Sequence, residues 1–70
     1  MTKTQALRKT IKILGGKKEA AAAFGIRVQA IDFWFRQGFI PTGKAYDVKR
    51  LTNGEVTMEN VFGKVDNSVQ

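Results

Sequence analysis

The side chains best suited to recognition chemistry fall within ten residues, from Arg27 to Arg36. Ile31 and Trp34 are three apart, which makes them the inner face of a helix running from about Val28 to Gln37. Arg27, Val28, Gln29, Asp32, Phe33 and Arg36 then point outward. This set can read the edges of nucleic-acid bases. The Gln29 amide offers a donor and an acceptor at the spacing of the adenine N6/N7 edge, and Asp32 can accept from cytosine N4. Val28 and Phe33 can touch a thymine methyl. Arg27 and Arg36 can each read guanine or hold a phosphate; Arg27 is assigned to bases and Arg36 to the backbone. Asp32 has a second, local reading as the ion-pair partner of Arg36, four residues on.

Further phosphate contacts are expected at the start of the preceding helix. There, free backbone amides coincide with Lys17 and Lys18. Lys44, near the start of a later helix, is assigned the same role.

The types that are missing narrow the chemistry further. The 70 residues contain no cysteine and no histidine. The commonest metal ligands, the commonest general base and the most nucleophilic side chain are therefore absent. No catalytic residue, metal site, cofactor or small-molecule ligand is expected. No run of about 18 apolar residues is present, so no membrane span is expected. Met1 to Arg8 lacks the apolar stretch of a secretory signal, and a cytoplasmic location is the expectation.

The net charge is +6. Residues 1–36 hold eight basic side chains against Glu19 and Asp32, while residues 37–70 hold four of each sign. All the excess is in the first half, which favours an anionic partner there over a merely solvated surface.

The elements that position these groups can be read from periodicity. A first helix is expected from about Thr4, as its cap, to Leu14, with Leu7, Ile11 and Leu14 on one stripe. Gly15-Gly16 stops it. A second helix runs from about Lys17 to Phe24, and Gly25 ends it. Gly38 closes the third helix, and Phe39-Ile40-Pro41 is extended. A fourth segment spans Thr42 to Thr52, with Ala45, Val48, Leu51 and Thr52 at helical spacing. Asn53-Gly54 then allows two readings. With Gly54 as a cap, Thr57 starts a last helix, Met58 to Phe62, with Val61 and Phe62 packing back. Alternatively Asn-Gly turns a β-hairpin. The strand alternation breaks at Arg50 and Leu51, which favours the helix. Residues 1–62 are expected to form one domain, and 63–70 a flexible tail.

Lys17 to Gln37 has the spacing of a helix-turn-helix. Ala21 is small where two helices must approach closely, and Gly25, four residues later, tolerates the positive φ of the turn. Ala20, Phe24, Ile26, Ile31 and Trp34 fall where apolar residues must pin the pair together.

Leu14-Gly15-Gly16, Ala20-Ala21, Phe24-Gly25-Ile26, Ala30-Ile31, Trp34, Gly38 and Ile40-Pro41 resemble the Cro and YdaS-type regulators of phages. Thr52 to Thr57 resembles the stretch joining the last two helices in the all-α branch of that family. The resemblance covers about residues 11–62. It implies an all-α fold of about five helices; the lambda-type branch, with three helices and a C-terminal β-hairpin, is the alternative. It also implies that helix 28–37 enters the major groove, N-terminal end first. The function implied is a phage- or prophage-encoded repressor, a homodimer on a palindromic double-stranded DNA operator. The C-terminal half would be the dimer surface. The chain departs from the family at Asp32, Phe33 and Phe35; polar neutral residues are usual at the first two. Phe35 and Phe39 are expected in the core or at the dimer surface. A different class of function stays open on the same fold: an antitoxin-like interaction module of a toxin–antitoxin pair.

Overall fold

The computed structural model describes residues 1–63. Among them are five helices and no strand: α1 (Lys3–Leu14), α2 (Lys17–Phe24), α3 (Val28–Gln37), α4 (Ala45–Leu51) and α5 (Met58–Phe62), with a 3-10 turn, Thr42–Lys44, leading into α4. The all-α expectation holds, and the hairpin alternative does not. The proposed tail falls outside the described residues except for Gly63. That glycine closes α5 at φ +81°, so close to Lys3 that a Cβ would run into the lysine stem.

The cap of α1 is Thr2, two residues before the expected one. The Thr2 hydroxyl accepts from the Gln5 amide at 3.0 Å, and the Gln5 side chain accepts from the Thr2 amide at 2.7 Å. This reciprocal pair satisfies two free donors at once, which a cap at Thr4 would not. Thr4 lies in the first turn instead, and its hydroxyl donates to the Gly38 carbonyl at 2.7 Å. The start of α1 is thereby tied to the end of α3. Ala6, Leu7, Thr10 and Ile11 are buried, while Leu14 is only half-buried. The buried Thr10 hydroxyl is satisfied by the Ala6 carbonyl at 2.7 Å.

α1 packs against α2, α3 and α5; α2 packs on α3, and α4 on α5. One core joins them, including Leu7, Ile31, Ile40, Val48, Val56 and Val61. Phe24 and Trp34 meet edge to face, with centroids 5.2 Å apart and planes at 85°. This contact fixes how α3 rolls on α2.

The fourth segment is shorter than its apolar spacing suggested. The Lys44 amide donates to the Pro41 carbonyl at 2.9 Å, an i to i+3 bond that makes the first turn a tight one. At the other end Thr52 is the cap, and the positive-φ residue that closes the helix after it is Asn53, not Gly54. Asn53 takes φ +56°, its amide donates to Arg50 at 3.2 Å, and the Gly54 amide donates to Lys49 at 2.8 Å. That is the Schellman closure. Thr52 is 1% exposed; its hydroxyl donates to the Val48 carbonyl at 2.7 Å and accepts from the Val56 amide at 3.1 Å. Thr57 caps α5 as expected, reciprocally with Asn60. Val61 is buried, but Phe62 is exposed rather than packed back. A five-residue helix turns one narrow side inward, and Val61 and the half-buried Met58 occupy it.

Candidate nucleic-acid interface

The interface is built on the turn between α2 and α3. Gly25 sits at φ +71°, and a Cβ there would meet nothing within 4 Å. The glycine is needed for its backbone conformation and not for space. Its amide donates to Ala22, and the next amide, of Ile26, donates to Ala21 at 2.9 Å. These bonds end α2 sharply and swing the chain into α3.

On α3 the inward pair is as the periodicity requires: Ile31 is fully buried and Trp34 is 3% exposed. Arg27, Val28, Gln29, Phe33 and Arg36 are exposed. Phe33, at 54% exposed, is an unusual surface for a large aromatic ring. The Arg36 guanidinium lies over that ring, 6.0 Å from its centroid. The two side chains thus form one edge of the exposed strip. Arg27 occupies the cap position of α3 in an extended conformation (φ −83°, ψ 153°), with no side-chain cap bond. The first-turn amides of α3 are left without a side-chain partner.

The residue pattern of the family described as bacterial toxin YdaS matches residues 7–68. The chain belongs to the YdaS family. Its fold is also that of a solved structure, the Cro protein from the putative prophage element Xfaso 1 of Xylella fastidiosa strain Ann-1. The two chains are 34% identical, with a TM-score of 0.76, over 80% of this chain and 86% of that one. Curated proteins yield no match.

Within this fold, Lys17 and Asp32 come together, although they are 15 residues apart. The Lys17 Nζ lies 2.9 Å from Asp32 Oδ1, and both side chains are about half-exposed. The same ammonium sits 4.9 Å from the centroid of the Phe35 ring. Asp32 therefore pairs across the turn to α2, and not with Arg36 as its spacing on α3 suggested. Phe35 is half-buried and packs against the core, so its ring is both a wall of the core and a seat for Lys17. Phe39, also half-buried, carries the Lys3 ammonium at 5.2 Å.

Lys18 is exposed beside Lys17 at the start of α2, and no ion pair is found for it among the described residues. Lys44 is half-buried at the end of the 3-10 turn, on a different element from the other assigned residues. No group of histidine, cysteine, aspartate or glutamate that could hold a metal occurs among the described residues. No helix among them is long and apolar enough to cross a membrane.

Proposed function

We propose that the protein is a sequence-specific double-stranded DNA-binding repressor of the Cro type. It binds a palindromic operator as a homodimer, with half-sites about one helical turn apart. Residues 1–62 are the DNA-binding unit. α3 enters the major groove by its N-terminal end, where Arg27, Val28, Gln29, Asp32 and Phe33 meet base edges. Lys17, Lys18, Arg36 and Lys44 hold phosphates. The neutral C-terminal half forms the dimer surface. The protein acts in the bacterial cytoplasm and blocks a promoter by occupying it.

The observation that carries this reading is the exposed strip on α3. It offers an amide, two guanidinium groups and two apolar side chains, in the half of the chain that holds the whole +6 charge. Footprinting on the DNA flanking the gene, with titrations at several salt concentrations, tests it. If the dimer neutralises about six phosphates, log affinity falls against log salt with a slope of about −5. A slope near zero overturns the reading.

The family's description as a toxin favours a second reading, a module of a toxin–antitoxin pair. A protein partner encoded next to the gene that co-purifies with the chain and masks α3 would support it. A divergent repressor gene next to it would support the Cro reading.

A further inference from the structure

An acid on the face proposed to meet a polyanion needs an explanation, and Asp32 has one in its partner. The Lys17 ammonium is held at 2.9 Å from the Asp32 carboxylate and 4.9 Å from the Phe35 ring. Both charged side chains are half-exposed, so water reaches the pair and the bond between them is weak. The Phe35 ring is fixed by the core. It gives the ammonium a second contact that does not depend on the carboxylate.

We propose that Asp32 is a specificity-determining residue that changes partners on DNA: a phosphate takes its place at Lys17, and its carboxylate turns to the exocyclic amino group of a cytosine. The proposal deepens the DNA-binding reading and rests on it. Asp32 lies three residues after Gln29, one turn further along the same exposed side of α3. In the free protein, Lys17 neutralises it. On DNA of arbitrary sequence, Lys17 is drawn to the backbone, and Asp32 is left facing phosphates and base acceptors with no donor. That arrangement is penalised, because a desolvated carboxylate without a hydrogen bond is costly. Only a duplex with a cytosine amino group at the right step repays the loss. The residue thus works mainly by weakening binding to wrong sequences.

The test uses the full chain and a 20-base-pair duplex selected by the wild-type protein from a random pool. A random-sequence duplex is the reference. Asp32→Asn is expected to bind the random duplex about five- to tenfold more tightly, while binding to the selected duplex is unchanged or weaker. Replacing the contacted C·G pair is expected to weaken the wild type about five- to 150-fold and Asp32→Asn hardly at all. Lys17→Met is expected to flatten the salt slope on either duplex by about 0.9 per protomer. Circular dichroism confirms that both variants are folded.

If Asp32→Asn shifts affinity for the two duplexes by the same factor, the pair is only a brace between α2 and α3, and the proposal is overturned. If no base pair of the selected duplex matters less to Asp32→Asn than to the wild type, it is overturned as well. Both results leave the DNA-binding reading standing. That reading falls, and this one with it, only if the wild type shows no salt-dependent binding to any duplex.

Discussion

The two halves of the molecule use their polar side chains in opposite ways. In residues 38–63 the buried and capping side chains are turned onto the chain's own backbone: Thr52 binds Val48 and Val56, and Thr57 and Asn60 cap each other, while the charged ones stay at the surface, with Arg50 paired to Asp47 at 3.4 Å. In residues 17–37 most of them face outward; Gln37, which donates to the Phe39 carbonyl at 3.0 Å, is the exception at the end of α3. Lys18, Arg27 and Arg36 are exposed and in no ion pair among the described residues; Lys17 alone is held, by Asp32. The charge follows the same division, with all the excess in residues 1–36. A half whose buried polar groups are satisfied internally and whose surface charges cancel can serve as scaffold. A half that leaves donors unpaired must find partners in water or in a ligand. The substitutions below separate the scaffold from the reading surface.

The largest effect is expected in the core beneath the reading surface. Trp34 joins Phe24 edge to face and is almost fully buried. Trp34→Ala should cost about 3–5 kcal/mol, enough to unfold a small domain of marginal stability. A thermal melt followed by circular dichroism checks it. An unchanged midpoint would mean that α3 is rotated and that its outward set is not the one described.

Next comes a scaffold residue far from the reading strip. Thr52→Val keeps the shape but removes the acceptor of the buried Val56 amide. The expected loss is about 1–3 kcal/mol, read from the urea midpoint. The base preference of the folded fraction should not move. If it does, the two halves are coupled.

Thr52 also marks where the sequence stops being legible. Asn53-Gly54 adopts two successive positive φ values, +56° and +82°. A type I′ hairpin turn requires the same backbone, so residue type could not choose between helix end and hairpin. The choice is made by hydrogen bonds to Lys49 and Arg50 and by the Thr52 hydroxyl, which are contacts and not propensities. The helix-turn-helix was legible because its constraints are local: a small residue at Ala21, positive φ at Gly25, inward Ile31 and Trp34. The Lys17–Asp32 pair was not legible, because the two residues meet only once the crossing of α2 and α3 is known. The Thr2–Gln5 cap is written in the sequence as Thr-x-x-Gln, the capping-box spacing, which Thr4 lacks because Leu7 stands three residues after it.

Within the reading surface, base contact and backbone contact should separate. Gln29 lies in the first turn of α3, at the end proposed to go deepest into the groove. Gln29→Ala should cost about 1–3 kcal/mol on the selected duplex and much less where the contacted A·T pair has been changed. A titration matrix of two proteins against two duplexes gives the answer. An equal loss on selected and random DNA would mean that α3 docks differently.

The smallest effect is expected from Arg36, and it is diagnostic by its uniformity. Arg36 sits in the last turn of α3, about two turns beyond Gln29, where a helix entering a groove by its other end moves away from the bases towards the phosphates. Its guanidinium lies over the exposed Phe33 ring, 6.0 Å from the centroid, at the surface of α3. A phosphate contact carries charge but no sequence information. Arg36→Ala should therefore weaken binding to selected and random duplexes by the same factor and flatten the salt slope by about one unit. Arg36→Lys should restore the slope, because it restores the charge, and should recover less affinity, because an ammonium cannot offer the planar fork. If instead Arg36→Ala changes the preferred base at one position, the guanidinium reads guanine. The boundary between base-reading and backbone-holding residues on α3 then lies beyond Arg36, and the whole helix, not only its first half, faces the bases.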